Sequence, residues 1–231
     1  MNGPHILKDF DLALRTLRGD VLTMASLTRQ NLARAVQGLL QRDVELCRRV
    51  IADDTEIDEY ESGMDRIGME LMLRFHPVAA DLRMVISSMK IATNLERISD
   101  HAVNIAKRAK KVLKRSELDE ARWIEPLYQL ADQELLDATT SYADGNAALG
   151  AGLHERDKEL DRMHKKVTAA LSQRLDGAVV GGRSEDFLHL IFMVRSLERV
   201  GDLSVNIGED AVFMESAKDI RHGGRTAEGP N

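Results

Sequence analysis

The sequence predicts an all-α protein built from two copies of one three-helix unit. Apolar residues recur in steps of three and four along most of the chain, which is the spacing of one helix face. Aromatic residues make up only 4% and prolines number four, whereas charged residues reach 30%, a composition that favours helices over sheets. The segment NLERISDHAVNIAK at 94–107 recurs as SLERVGDLSVNIGE at 196–209, 102 residues later, which indicates an internal repeat.

The first unit contains three predicted helices. An apolar stripe indicates a helix over residues 6–42, and a second helix runs from about Asp43 to Phe75. The third helix opens at Pro77, because proline suits the first position of a helix. The apolar residues that alternate on this third helix are Val78, Leu82, Val85, Met89 and Ala92.

The second unit repeats this plan after a polar break at 114–123. Three more helices are predicted, at about 123–150, 153–176 and 185–216. A glycine-rich turn, VVGGRSED at 179–186, leads into the last of them. No segment has the two-residue alternation of a strand.

These helices define the predicted domains. The first three-helix unit covers residues 1–115 and the second covers residues 118–218. The tail at 219–231 contains HGGRTAEGPN, which has nothing to bury, so it is expected to be disordered.

Composition also narrows the class of protein. The sequence contains no run of about 18 apolar residues, so no membrane-spanning helix is expected. The first residues, MNGPHILKDFD, lack the basic and apolar regions of a secretory signal. The single cysteine, Cys47, fits a reducing compartment and is expected to be a semi-buried helix residue. A formal charge of −6 argues against a nucleic-acid partner, and a cytoplasmic protein is expected.

Acidic residues occupy an unexpected place on the third helix. Its apolar stripe continues to position 96, which is glutamate, and Asp100 and Asn104 follow at intervals of about one turn. Like charges four residues apart destabilise a helix by about 0.2–0.5 kcal/mol. A cation bound between them removes that cost, and carboxylate oxygens are the natural ligands of magnesium, calcium, manganese and iron.

Pairs of the form acid-x-x-x-Asp occur at corresponding places in both units. The four corresponding pairs are Asp54/Asp58 and Asp157/Asp161 on the middle helices, and Glu96/Asp100 and Glu198/Asp202 on the last helices. Two further pairs, Glu61/Asp65 and Glu215/Asp219, have no partner in the other unit and are expected on the solvated surface. Such spacing also arises by chance, so the metal hypothesis depends on the duplicated arrangement.

Two other interpretations stay open at this point. All four pairs would be ordinary exposed acids if Arg97 and Arg199 formed ion pairs with them. Alternatively, the chain would be a carboxylate-bridged metalloenzyme, but di-iron bundles use Glu-x-x-His pairs, and none of the seven histidines has a glutamate three places before it. No phosphate-cradling glycine loop or nucleophile elbow is present either, so no catalytic residue and no enzyme activity are predicted.

Two histidines lie close to the acid pairs in sequence. His101 follows Asp100, but its counterpart in the second copy is Leu203, so His101 is expected to support the site from outside or to lie on the surface. His164 lies three residues after Asp161 and is a weak additional ligand candidate.

Longer segments of the chain resemble the PhoU family. The segment HPVAADLRMVISSMKIATNLERISDHAVNIAKR at 76–108 is similar to the signature helix of that family. LERVGDLSVNIGEDAVFMESAKDIRH at 197–222 is similar to its second copy and C-terminal end, and LARAVQGLLQRD at 32–43 matches its opening. The resemblance covers nearly the whole chain, and two long motifs occur in the right order and at the right separation.

The resemblance implies a fold and a function. Members of the family fold as two three-helix bundles with pseudo-twofold symmetry, and their acid motifs can hold multinuclear metal clusters. It implies a cytoplasmic regulator of phosphate uptake and of the phosphate-starvation response, with iron, zinc, manganese or magnesium as candidate metals. The implied partners are the ATP-binding subunit of the phosphate transporter and the membrane histidine kinase that reads its state. A homodimer that reaches the membrane only through these partners, and binds no nucleic acid, is expected.

The family motif can be carried over residue by residue. It falls on Glu96, Asp100, Asn104, Glu198, Asp202 and Asn206, whereas the acids of the middle helices match less strictly. Ser99 replaces the glycine usual between the two acids, which Gly201 keeps, so the first site is expected to be more crowded. Leu203 replaces a polar residue, and the proline of the third helix has no counterpart near Phe187, so the two sites need not bind metal equally.

Overall fold

The part of the chain that the computed structural model describes, residues 3–178 and 182–221, consists of helices joined by short connections and contains no β-strand. The α-helices are α1 (Gly3–Leu40), α2 (Val44–Phe75), α3 (Ala79–Val112), α4 (Ile124–Asp144), α5 (Ala147–Ala151), α6 (Leu153–Ala178) and α7 (Ser184–Ser216). A short 3-10 helix, Asp119–Trp123, joins the two halves. Residues 179–181 of the predicted glycine-rich turn and residues 222–231 of the predicted tail lie outside the described residues.

Helices α1, α2 and α3 pack into the first bundle. Asp43 caps α2, because its Oδ1 accepts hydrogen bonds from the backbone N–H groups of Glu45 and Leu46 at 2.8 and 3.1 Å. The prediction that α3 opens at Pro77 is wrong by two residues. His76 ends α2 in the left-handed conformation and Val78 is extended, so Pro77 lies in the connection between the helices.

Helices α4, α6 and α7 form the second bundle, with the five-residue α5 packed against α7. The single helix predicted at 123–150 is wrong, because α4 ends at Asp144. Gly145 adopts a φ of 64°, which favours glycine, and its N–H donates to the carbonyl of Ser141. Asn146 then caps α5 by accepting a hydrogen bond from the N–H of Leu149 at 3.1 Å.

The last helices of the two bundles, α3 and α7, run antiparallel along each other, and α1 packs against α4 beside them. Contacts along the α3–α7 seam run from the Arg108 guanidinium, 4.1 Å from the Phe192 ring centre, to the ion pair of Lys90 with Asp210 at 3.2 Å. Because the two helices are antiparallel and are copies of each other, Arg108 of α3 faces Phe192 of α7, and Lys90 faces Asp210. The expected two tandem three-helix bundles with pseudo-twofold symmetry are confirmed.

The core follows the apolar stripes closely. Val85 and Ala92 of the predicted α3 stripe are fully buried, but Val78, predicted to start it, is 72% exposed because it precedes the helix. Cys47 is fully buried rather than semi-buried, and burial raises the pKa of its thiol to about 11. None of the described helices is long and apolar enough to cross a membrane.

Candidate metal centres

The predicted acids of the first bundle lie together where α2 packs against α3. Burial, followed by the charges of Asp100, Glu61, Asp58 and Asp54, raises the pKa of Glu96 to about 7. Burial also raises the pKa of Asp54, as do the charges of Asp58 and Asp100. We call the first acidic cluster the five residues Asp54, Asp58, Glu61, Glu96 and Asp100.

Glu61 was expected on the solvated surface, but the structure places it half-buried beside Glu96. It lies one turn after Asp58 and therefore on the same face of α2. The other pair expected at the surface is exposed: Glu215 lies near the C-terminal end of α7, and Asp219 pairs with Arg221.

The predicted acids of the second bundle lie together where α6 packs against α7. Burial, followed by the charges of Asp202, Asp161 and Glu198, raises the pKa of Asp157 to about 6. The four carboxylates predicted from the sequence repeat therefore lie near one another in the second bundle.

A fifth carboxylate, Glu134 of α4, lies behind them and was missed at the sequence level. It is only 3% exposed, and burial raises its pKa to about 8, together with the charges of Asp157, Asp161 and Asp202. Its Oε2 is buried and has no hydrogen-bond partner among the described residues. The sequence does carry a signal for Glu134, because this acid continues the apolar stripe of Leu127 and Ala131 on the core face of the helix. The second acidic cluster comprises Glu134, Asp157, Asp161, Glu198 and Asp202.

Gly201 allows these carboxylates to approach one another. A Cβ atom added there would lie 2.9 Å from Glu134 Oε2, 3.0 Å from Asp157 Oδ1 and 2.3 Å from Leu160 Cδ2. The two carboxylate oxygens thus approach the same point on the backbone of α7, and only glycine, which has no Cβ, allows that approach.

The first cluster is built differently at the same positions. Ser99, the counterpart of Gly201, is buried, and its hydroxyl donates to Asp54 Oδ1 at 2.8 Å. Asn31, which lies 103 residues before Glu134 just as Asp54 lies 103 before Asp157, is 2% exposed. A neutral amide and a hydroxyl therefore stand at the positions where the second cluster has a carboxylate and a glycine.

The remaining predicted ligands lie at the edge of the clusters. Asn104 and Asn206 are exposed, one turn beyond Asp100 and Asp202. His164 is half-buried, one turn beyond Asp161 and 103 residues after Glu61, so it holds the corresponding place in the second bundle.

Arg199 neutralises part of the second cluster. Its guanidinium lies 3.5 Å from Glu198 Oε2 and 2.8 Å from Asp202 Oδ2. Arg97, its counterpart, forms no ion pair within the described ranges. The interpretation of the acid pairs as partners in ordinary ion pairs therefore applies to the second half of the chain only. A metal ion that bound both Glu198 and Asp202 would have to displace Arg199.

His101 lies between the two clusters. Burial lowers its pKa, and the charges that act on it come from Asp100 and Arg97 on α3 and from Arg199 and Asp202 on α7. Its Nδ1 is buried with no hydrogen-bond partner in the part of the chain that is described. His101 is therefore a packed residue between the clusters and not a surface one.

The side chains of the two clusters are of the kind that binds hard cations. Carboxylate oxygens dominate both clusters, and the buried Oε2 of Glu134 has no partner. In residues 3–178 and 182–221, however, no three acid, histidine or cysteine side chains already converge as a metal site. A metal ion held by three or more of these side chains would therefore require them to turn toward one another.

Comparison with known proteins gives the family. The model of the PhoU domain matches residues 21–109 and 124–211, one match in each bundle. A protein of Pseudomonas aeruginosa named phosphate-specific transport system accessory protein PhoU homolog is 33% identical over 227 residues, which cover 96% of this chain and 91% of that protein. Its namesake from Rhizobium meliloti is 31% identical over 216 residues, covering 93% and 90%.

Solved structures agree with this. The crystal structure of PhoU from Pseudomonas aeruginosa is similar with a TM-score of 0.83 and 28% identity, covering 89% of this chain and 98% of the other. The phosphate transport system regulatory protein PhoU from Streptococcus pneumoniae gives a TM-score of 0.80 at 25% identity, covering 91% and 98%. The family model matches both bundles and the relatives span nearly the whole chain, so this chain belongs to the PhoU family.

Proposed function

We propose that this protein is a metal-binding regulator of phosphate uptake and of the phosphate-starvation response. Family membership supports the phosphate role, because the relatives are named accessory and regulatory proteins of the phosphate transport system. The observation that carries the metal role is the second acidic cluster, in which a buried, unpartnered glutamate oxygen and an aspartate oxygen both approach the backbone of α7 at Gly201.

The proposed partners are two components of phosphate sensing. The protein docks onto the ATP-binding subunit of the phosphate transporter and onto the membrane histidine kinase that reads the state of the transporter. When phosphate is abundant, it keeps that kinase from activating the starvation response. The protein acts as a cytoplasmic homodimer that these partners bring to the membrane.

The metal has a defined role in this proposal. Magnesium, manganese, iron or zinc bound by either cluster supplies positive charge that offsets the mutual repulsion of the carboxylates. The ligands in the first half are Asp54, Asp58, Glu96 and Asp100, and those in the second half are Asp157, Asp161, Glu198, Asp202 and Glu134. Neutralised in this way, α3 and α7 present a fixed face to a partner.

A metal-free helical adaptor is the second candidate. The ion pairs of Arg199 with Glu198 and Asp202 favour it, because the protein itself then neutralises part of the second cluster. A metalloenzyme has less support, since the relatives are named as accessory and regulatory proteins and no substrate is indicated.

The function is tested in the native host with a starvation-gene reporter grown in abundant phosphate. Deletion of the gene should switch the reporter on, and the wild-type gene should silence it again. Glu198→Ala with Asp202→Ala should restore silencing only in part, while Glu215→Ala, an exposed acid outside both clusters, should silence fully.

Two outcomes separate the candidates, provided that protein levels are equal. A silent reporter in the deletion strain would contradict the regulatory proposal itself. Full silencing by the Glu198/Asp202 variant, despite loss of its metal, would show that repression does not need that metal and that the helices alone act as the adaptor.

A further inference from the structure

Two large apolar side chains are exposed on the first turns of α7. Leu188 is 42% and Phe192 is 43% exposed, and the two lie one helical turn apart on the same face. The residues next to them, such as Phe187 and Leu190, are buried in the core, so the exposure is confined to one stripe.

Cationic side chains surround this stripe. The Arg108 guanidinium of α3 lies 4.1 Å from the centre of the Phe192 ring, a cation–π contact. Lys111 is exposed on the next turn of α3, and Arg195 is exposed one turn after Phe192. We call Arg108, Lys111, Leu188, Phe192 and Arg195 the basic–aromatic surface.

The cations of this surface are not used by the fold. Arg108, Lys111 and Arg195 form no ion pair with any residue that the structure describes. Lys107 and Lys114 are exposed on either side along α3 and extend the positive charge.

The nearby acids are already neutralised by other arginines. Asp186 is buried and is paired with Arg115 at 3.4 Å and Arg183 at 3.1 Å. Glu185 is exposed and pairs with Arg115 at 3.0 Å. Along α3 the preceding exposed acid is Asp100, about two turns before Arg108. The surface is therefore locally positive, although the whole chain carries a formal charge of −6.

The other end of the contact between α3 and α7, which the repeat relates to this one, has no such surface, so the fold does not require it. The positions 102 residues from Arg108 and Phe192 are Asp210 and Lys90, which form an ion pair at 3.2 Å. The same packing position is thus filled by a closed pair of opposite charges in one half and by free cations around an exposed ring in the other.

We propose that the basic–aromatic surface binds the anionic surface of a lipid bilayer directly. Exposed lysine and arginine side chains attract acidic headgroups, and neighbouring leucine and phenylalanine side chains enter the boundary with the acyl chains. An acidic protein segment is the alternative occupant, and the vesicle experiments below separate it from a lipid surface. The proposal adds a lipid contact to the partner-mediated one and does not depend on the metal clusters.

The test is co-flotation of the purified full chain with vesicles. The protein should float with vesicles that contain phosphatidylglycerol and not with vesicles of phosphatidylcholine alone, and added salt should weaken binding. Lys111→Glu with Arg195→Glu should weaken binding by at least about tenfold. Lys165→Glu with Lys166→Glu, which makes the same change of net charge on exposed positions of α6, should leave it unchanged.

A second pair of variants tests the apolar anchors. Leu188→Ser with Phe192→Ser keeps every cation and should also weaken binding to the anionic vesicles, with the helical circular dichroism spectrum as the check on folding. Absence of wild-type binding to phosphatidylglycerol vesicles would overturn the proposal and leave the surface to an acidic protein. Equal losses in the α6 control and in the Lys111/Arg195 variant would overturn it as well.

Discussion

The two acidic clusters keep the same acid pairs on corresponding helices but differ in the residues behind them. In the second half, Glu134 lies 3% exposed with an unpartnered oxygen, and Gly201 lets that oxygen approach the backbone of α7. In the first half, Asn31 stands at the position of Glu134, and Ser99 fills the position of Gly201 with a hydroxyl bonded to Asp54.

The two halves therefore share the acid pairs and differ at the buried positions behind them. The second cluster combines a buried carboxylate with a glycine that it approaches closely, and it is the one in which an arginine already pairs with two of the acids. The first cluster gains Glu61 at its edge, where the second has His164. We therefore infer that the two halves bind metal with different affinities, and that the second half binds it more tightly.

Among the variants considered, adding a Cβ atom at Gly201 should lower stability most. Gly201→Ala places a Cβ atom 2.9 Å from Glu134 Oε2 and 2.3 Å from Leu160 Cδ2, so it should lower the free energy of unfolding by about 1–3 kcal/mol. It should also remove metal from the second cluster. Ser99→Ala, the matched change in the first half, loses only the hydrogen bond to Asp54 and should cost about 1 kcal/mol. Urea unfolding and metal analysis of both variants measure this, and equal behaviour would contradict the asymmetry.

The next effect concerns pH. The pKa values of Glu134 and Glu96 are raised to about 8 and about 7, and that of Asp157 to about 6, so the folded protein binds more protons than the unfolded chain at neutral pH. The free energy of unfolding without metal should therefore fall as pH rises from about 4, where these carboxyls ionise in the unfolded chain, to about 8, and then level off. Saturating metal should remove most of this decline, because it replaces the protons.

Glu134→Gln sharpens that prediction. It should remove the largest single contribution to the pH dependence, whereas Glu215→Gln, an exposed acid on α7, should leave the slope as in the wild type. Melting temperatures over the pH series in a chelator provide the measurement. A pH slope unchanged in Glu134→Gln would show that this carboxylate does not bind a proton in the folded protein.

The sequence predicted the elements of the fold and the four acid pairs, because both depend on local spacing. Helical stripes follow from steps of three and four, and Glu96 was noticed since it continues such a stripe. Glu134 was missed because its partners lie on α6 and α7, and only the packing of three helices brings them together. Glu61 was misplaced for the same reason, since its neighbour is Glu96 on another helix.

The helix ends were predicted less well. Continuous periodicity hid the end of α4 at Asp144, which depends on the left-handed conformation of Gly145. The start of α3 depends on the extended backbone of Val78 rather than on the helical preference of Pro77. Both are decided by the conformation of one residue, which a stripe of apolar positions does not record.

A smaller effect is expected from Arg199. Arg199→Ala should change stability by less than about 1 kcal/mol, because its side chain is 47% exposed and surface ion pairs contribute little. The same variant should bind metal more tightly at the second cluster, since Glu198 and Asp202 are released. Arg97→Ala is the matched control in the first half and should leave both quantities unchanged. Weaker metal binding by Arg199→Ala would mean that the arginine orients the ligands instead of competing with the metal.

We propose that both clusters bind metal and that the second cluster binds it more tightly. The most direct measurement is calorimetric titration of chelator-treated protein with manganese, comparing Glu96→Ala/Asp100→Ala with Glu198→Ala/Asp202→Ala. The wild type should show two classes of site, the first-half variant should retain the tighter class, and the second-half variant should retain only the weaker one. A single class lost equally in both variants, or no binding by the wild type, would contradict the account.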